Sequence, residues 1–246
     1  MKKILSAILA ADMFGYSRLM ENGEIDVITR QSHYLKDIIQ PEILNRHGTL
    51  IKTTGDGFLA IFNTVQESVE SAIAIQTRML LMEEPLPHDQ KIQYRVGINA
   101  GDLILNENDI FGDSVNIASR LEALTPKYEA DIIVSAQVLQ TIGSGFPIKT
   151  RLLDWVRVKG RKAPIEIYEV LSHLSESEQE KKLAVQTKIA AGIACRINQQ
   201  WDEAISFFET AVAMSPNDSL AHHHIDVCRI YRSVDFKEDW DGALVY

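Results

Sequence analysis

Ile51-Lys-Thr-Thr-Gly-Asp-Gly-Phe-Leu-Ala-Ile-Phe62 is the stretch whose reading decides the fold. It reads as two short strands joined by a tight turn, with Gly55 and Gly57 on either side of Asp56. Glycine reaches the positive φ values of hairpin turns without steric cost. Phe58-Leu-Ala-Ile-Phe62 is an apolar run of strand length. An acid held at the tip of a rigid hairpin is well placed to bind a metal ion. It is equally what an ordinary Asp-Gly hairpin looks like, so the stretch alone leaves both readings open.

Working outward, residues 4–11 read as an apolar strand that ends at Asp12. In Met13-Phe14-Gly15-Tyr16-Ser17, Gly15 permits a turn and Ser17 is placed to cap a helix. Exposed N–H groups at such a helix start favour a phosphate, although a plain capped helix start fits the same residues. An amphipathic helix is predicted over 24–45, with Pro41 breaking or bending its last turns. Beyond the hairpin, a second helix is predicted over 65–82, then a strand over 92–99 and another after a turn at Gly101. Asp109-Ile-Phe-Gly112 leads into a helix over 113–124, where Asn116 and Arg120 lie four apart on one face. A strand over 132–134, a short helix over 136–142 and strands over 146–153, 155–158 and 164–170 follow. Lys159-Gly-Arg-Lys162 is the turn between the last two and on its own reads as a solvated basic turn.

The strand–helix–hairpin–helix–strand order predicts an α+β domain of the ferredoxin-like, palm type, with a mixed, mostly antiparallel sheet and flanking helices. A palm sets Asp12 and Asp56 side by side on neighbouring strands. Two close carboxylates in a pocket invite cations between them.

The 246 residues are 46% hydrophobic and 24% charged, which suits a soluble globular protein of one large domain or one domain with an annex. A net charge of -9 without a basic block argues against a nucleic-acid binder that neutralises phosphates. It leaves a nucleotide enzyme open, because metal ions can supply positive charge locally. Cys195 and Cys228 lack metal-site spacing and fit a reducing compartment. No apolar run approaches the roughly 18 residues of a membrane span. The basic-then-apolar start mimics a signal peptide but is explained better as a first core strand. The expected location is cytoplasmic, unless the chain was cut from a larger membrane protein.

Composition shifts at Ser172, giving an expected first domain over 1–172 and a helical extension over 173–246. Helices are predicted at 183–198, 201–214 and 219–233. Residues 200–216 resemble a tetratricopeptide repeat, with Ala204, Phe207, Phe208, Ala211 and Pro216 in the expected places. Such repeats usually need about three copies to stand alone, so this extension is expected to pack on the first domain or on a protein partner. His222-His223-His224 are consecutive on a helix and are read as a surface run, since metal ligands must converge.

Together these pieces resemble the catalytic domain of class III nucleotidyl cyclases, adenylyl cyclases in particular, over roughly residues 4–171. The pieces are Ala10-Ala-Asp12-Met-Phe-Gly-Tyr-Ser17, Lys52-Thr-Thr-Gly-Asp56-Gly57, Arg95-Val-Gly-Ile-Asn99, Asp109-Ile-Phe-Gly-Asp-Ser-Val-Asn116-Ile-Ala-Ser-Arg120, and Val158-Lys159-Gly160 before Pro164-Ile-Glu-Ile-Tyr-Glu-Val170. Each is weak alone; their order and spacing carry the resemblance. It implies that Asp12 and Asp56 hold two metal ions per site, Mg2+ or Mn2+, helped by the carbonyl of Met13. It implies that Lys52 and Asp109 read adenine, that Phe14, Gly15 and Lys159 contact the substrate (Lys159 at the triphosphate), and that Asn116 and Arg120 stabilise the transition state. Guanylyl cyclases typically carry a glutamate and a cysteine where this chain has Lys52 and Asp109, which favours ATP.

In that family the metal acids and the Asn–Arg pair come from different subunits, which implies a homodimer with shared sites serving intracellular signalling. Ala10 stands where the family often has phenylalanine, so looser packing is expected there. The alternatives are a guanylate cyclase, a catalytically silent cyclase-like adaptor that dimerises, and another phosphotransferase built on the palm.

Overall fold

The computed structural model describes all residues except 107–108, 144, 160–162 and 237–239. It divides into two compact units. One is Met1–Thr125 with Asp131–Pro147; the other is Pro126–Ala130 with Ile148–Tyr246.

The first unit begins with strand β1 (Lys2–Met13), then helix α1 (Tyr16–Tyr34), a wide helical turn (Leu35–Ile39) and α2 (Gln40–Asn45). Strands β2 (Thr49–Thr53) and β3 (Phe58–Phe62) form the hairpin, and α3 (Val65–Glu83) leads to β4 (Tyr94–Asn106). Next come β5 (Asp109–Phe111), α4 (Asp113–Tyr128, counted with the second unit from Pro126 on), β6 (Ile132–Ser135) and α5 (Ala136–Ile142). The strands stand in the order β2-β3-β1-β4-β6, with β5 paired to β4. The β2–β3, β3–β1, β1–β4 and β4–β5 pairs are antiparallel, and β4–β6 is parallel. This is the mixed, mostly antiparallel α+β arrangement that the element order predicts.

Burial explains why these segments pair. All of β3 is buried, as is β1 from Ser6 to Ala11, so the central strands exclude water on both faces. α3 starts with a capping box, in which the Thr64 hydroxyl accepts from the Glu67 N–H at 3.2 Å and the Glu67 carboxylate accepts from the Thr64 N–H at 3.1 Å. α4 lies directly on β4: a Cβ at Gly97 would sit 2.2 Å from the Ala118 carbonyl oxygen. That close approach fixes the height of the helix carrying Asn116 and Arg120.

In the first unit the structure departs from the sequence-based expectation in three places. The helix predicted over 24–45 is preceded by a helical segment from Tyr16, with a kink at Gly23 (φ 175°, ψ 64°) between them, and instead of breaking at Pro41 it widens just before it, over Leu35–Ile39. Proline has no N–H and its ring crowds the carbonyl four residues back, which the wider turn relieves. Ser17 therefore lies inside α1, and Gly15 occupies the cap position without a side-chain hydrogen bond. Gly101 makes no turn; β4 runs through it.

In the second unit β7 (Thr150–Arg157) pairs antiparallel with β8 (Ile165–Val170). The two strands predicted over 146–153 and 155–158 are one, with a register shift between Leu152 and Asp154. Helices α6 (Glu176–Ala184), α7 (Gln186–Ile197), α8 (Trp201–Met214) and α9 (Ser219–Tyr231) follow, and the short strand β9 (Leu244–Val245) runs parallel to β7. Phe208 of α8 fills the space beside Gly192 of α7, where a Cβ would lie 2.5 Å from its ring. Arg151 and Arg196 are buried among these elements. Arg151 pairs with Glu169 and Asp218 at 2.6 Å each, and Arg196 pairs with Asp154. Breaking such pairs is costly because a charge is left behind without water.

Candidate active site

β1 and the hairpin turn bring the two predicted metal acids together. Ala11 pairs with Phe58 across β1 and β3. Two residues on, the Met13 N–H donates to the Asp56 carbonyl at 3.1 Å, which ties the turn to the end of β1. Gly57 is buried in that junction: a Cβ there would come within 2.4 Å of the Ala11 carbonyl and 3.0 Å of an Asp12 carboxylate oxygen. Burial raises the Asp12 pKa above its ordinary value, Arg95 pulls it back down, and the nearby Asp56 carboxylate raises it again. A pair of carboxylates held this close suits a hard divalent cation. The residues present therefore fit Mg2+ or Mn2+.

Asp12 also borders an open cleft of about 370 Å³, lined among others by Lys52, Asp109, Asn116, Ser119 and Glu122. The Lys52 ammonium lies 2.7 Å from the Asp109 carboxylate, both side chains about 40% exposed (41% and 38%). The lysine hydrogen bond, then the Ile110 N–H, holds the Asp109 carboxyl below the usual range. A charged donor and a charged acceptor thus stand side by side at one end of the cleft. Such a pair can read the edge of a base that presents an acceptor next to an amino group.

Two residues to which the sequence reasoning gave no role join this centre. Arg95, opposite Asp12 in the β1–β4 register, donates to the Asp12 carboxylate and lies 3.0 Å from Glu122 of α4. Burial pushes the Glu122 carboxyl up to about 7, with Arg95 opposing and Asp12 and Asp56 adding to the rise. Arg95 is thus the counter-charge of a three-acid cluster. The available signal was a single charged residue within the strand predicted over 92–99.

The remaining predicted residues lie elsewhere. Phe14 and Gly15 lead from Asp12 into α1, Gly15 at φ 66°, and neither lines the cleft. Arg120 is one helical turn from Asn116 and does not line it either. Lys159 belongs to the second unit, where its N–H donates to the Tyr246 carbonyl at 2.8 Å.

The predicted surface histidine run is a correction. His224 is fully buried, its Nε2 2.9 Å from the Leu153 carbonyl, and His223 is half-buried; only His222 is exposed. Burial pushes the His223 and His224 pKa values down to about 4 and about 3, so both rings are neutral. They bring a ligand atom each to within 4.8 Å of Asp154. Asp154 is already balanced by Arg196 and accepts from Tyr128 at 2.8 Å and from the Trp155 N–H at 2.7 Å, so this cluster has no uncompensated charge to offer a cation.

Residues 6–172 match the family described as the adenylate and guanylate cyclase catalytic domain. The chain belongs to that family. A putative adenylate cyclase 3 of Rhizobium meliloti (strain 1021) is 43% identical over 123 residues, which are 50% of this chain and 21% of that protein. The terminal-differentiation specific adenylate cyclase of Dictyostelium discoideum is 28% identical over 82% of this chain and 10% of its own length. The chain thus spans about a fifth of one of these curated relatives and a tenth of the other. The structure of an adenylate/guanylate cyclase/hydrolase from Silicibacter pomeroyi is 42% identical, with a TM-score of 0.62, and covers 69% of this chain and 98% of that one. Cyclases of this class use divalent metal ions, bind ATP or GTP and typically work as dimers. Among the described residues no helix is long and apolar enough to cross a membrane.

Proposed function

We propose that this cyclase converts ATP to 3′,5′-cyclic AMP and pyrophosphate, at sites shared between two copies of the chain. The observation that carries the reading is the Lys52–Asp109 pair in the same cleft as Asp12 and Asn116. Asp109 accepts from the adenine 6-amino group, where guanine presents a carbonyl and leaves the carboxylate facing another acceptor. An unmade hydrogen bond of that kind costs about 1–3 kcal/mol. Asp12 and Asp56, with the Met13 carbonyl, would hold the metal ions, which lower the pKa of the attacking ribose 3′-hydroxyl and neutralise the leaving phosphates. Asn116 orients the ribose side of the substrate, and Arg120 offers a planar fork to the phosphoryl oxygens as charge builds. Phe14 and Gly15 border the phosphates at the start of α1, and Lys159 meets the triphosphate.

Arg120 lies off the cleft bordered by Asp12, which suits its serving the site of a second copy. The tetratricopeptide likeness of residues 200–216 belongs to the same reading, with a protein partner as its expected occupant and the cytoplasm as its setting. The pair Lys52→Glu with Asp109→Cys tests the substrate assignment. The ratio of ATP to GTP turnover should fall about tenfold or more. An unchanged ratio would remove these residues from base reading.

A further inference from the structure

The second unit ties its C-terminal strand to the residue that the family resemblance assigns to the triphosphate. β9 pairs Leu244 with Val156 and Val245 with Arg157. The ladder then continues: the Tyr246 N–H donates to the Arg157 carbonyl at 3.1 Å, and the Lys159 N–H donates to the Tyr246 carbonyl at 2.8 Å. Upstream, Trp155 Nε1 donates to the Asp241 carbonyl at 3.1 Å, and the Arg157 guanidinium pairs with the Asp241 carboxylate. Buried Arg196 of α7 donates to the Gly242 carbonyl at 3.1 Å. Gly242 sits at φ 79°, and a Cβ there would lie 2.6 Å from Ile197, so this segment lies hard against the end of α7. Ala243 and Leu244 are each 2% exposed, and the Tyr246 ring packs under Lys127 at 3.8 Å.

The matched family domain ends at residue 172, so this strand is an addition to it. Among the described residues, the backbone hydrogen bonds that hold Arg157 and Lys159 from the β9 side both run through Tyr246. We propose that residues 241–246 are a positioning strap: the Tyr246 backbone presents Lys159 in a fixed place, and so couples the helical extension to binding of the nucleotide's triphosphate. This rests on the reading of Lys159 given above. Among the described residues no hydrogen bond links the strap to Lys52 or Asp109, so the strap acts on phosphate affinity and leaves base recognition alone.

The test uses the full chain and two probes that bind without turnover because they lack the attacking hydroxyl, 3′-deoxy-ATP and 3′-deoxy-AMP. Tyr246→Pro removes the N–H at the centre of the ladder; Tyr246→Phe keeps the backbone and serves as the conservative control. Tyr246→Pro should weaken 3′-deoxy-ATP about tenfold, the scale of one charge-assisted phosphate contact, and leave 3′-deoxy-AMP unchanged. Tyr246→Phe should bind both as the parent does. Lys159→Ala should show the same loss, and the double variant no further loss, because the strap acts only through Lys159. Additive losses, or equal weakening of both probes, would make the strap a general structural element and overturn the proposal. If Lys159→Ala alone leaves 3′-deoxy-ATP binding intact, the triphosphate reading of Lys159 fails and the strap has nothing to position. Should Tyr246→Pro not fold, Asp241→Ala, which removes the part-exposed pair with Arg157, must show the same split between probes on a smaller scale.

Discussion

Gly57→Ala puts the geometry of the acid pair to a quantitative test. Gly57 does not have a positive φ, so its backbone is one that alanine adopts freely, and the whole effect is steric. The added Cβ would stand 2.4 Å from the Ala11 carbonyl oxygen, where real contacts essentially never fall below 3.0 Å. The turn must therefore retreat from β1 by at least the difference of these two distances, about 0.6 Å, and Asp56 retreats with it. Overpacking of this size costs about 1–3 kcal/mol of stability. Misplacing a catalytic group by about 1 Å costs on the order of a hundredfold in rate, so a fall of about thirty- to a hundredfold in turnover is expected. Gly55→Ala, in the same turn, is the control. It has open space around it but a φ of 82°, so it should lose about 1 kcal/mol of stability while turnover stays within a few-fold. The assay is Mn2+ binding and cyclic nucleotide formation in both variants, alongside urea unfolding. Unchanged Mn2+ affinity and turnover in Gly57→Ala would show that the spacing of Asp12 and Asp56 does not matter.

Other outcomes follow from the same structure. Mixing Asp56→Ala chains with Arg120→Ala chains should restore turnover, one intact site per mixed dimer; confirmed mixed dimers without turnover would refute shared sites. Arg196→Met should cost about 3–5 kcal/mol in urea unfolding, because it strands the buried Asp154 carboxylate; a loss within about 0.5 kcal/mol would show that the pair carries little. His224, with its pKa pushed down to about 3, takes up a proton in the unfolded chain before the folded one, so its contribution is full above about pH 6.5 and is lost as pH falls. Between pH 7 and 5 that is about 2 kcal/mol, seen as the difference in acid sensitivity between the parent and His224→Gln; identical pH profiles would mean that His224 is not buried neutral.

The order of elements in the first unit was legible because hydrophobic periodicity and the Gly-Asp-Gly turn are local signals. Asp12 ends an apolar run, and Asp56 sits between two glycines, so both acids could be named before their contact was seen. Pro41 misled in a different way: its missing N–H was absorbed by widening one turn, which no propensity announces. Gly101 looked like a turn residue but lies within β4, where a Cβ would strike the Ser114 hydroxyl at 2.2 Å. The His222–His224 run looked solvated because three polar residues in a row carry no apolar signal. On a helix they point in three directions, and packing of α9 sends one of them into the core. Arg95 with Glu122, and Arg196 with Asp154, are pairs distant in sequence, the latter 42 residues apart, and only the assembled sheet and helices bring them together.

The most direct measurement is turnover of the purified chain with ATP and, separately, with GTP, in Mg2+ and in Mn2+, reading cyclic nucleotide and pyrophosphate. Metal-dependent formation of cyclic AMP and pyrophosphate in equal amounts from ATP is expected, with GTP a poor substrate. Cyclic GMP as the main product would contradict the reading of Lys52 and Asp109. A folded dimer that turns over neither nucleotide in either metal would contradict the central claim itself.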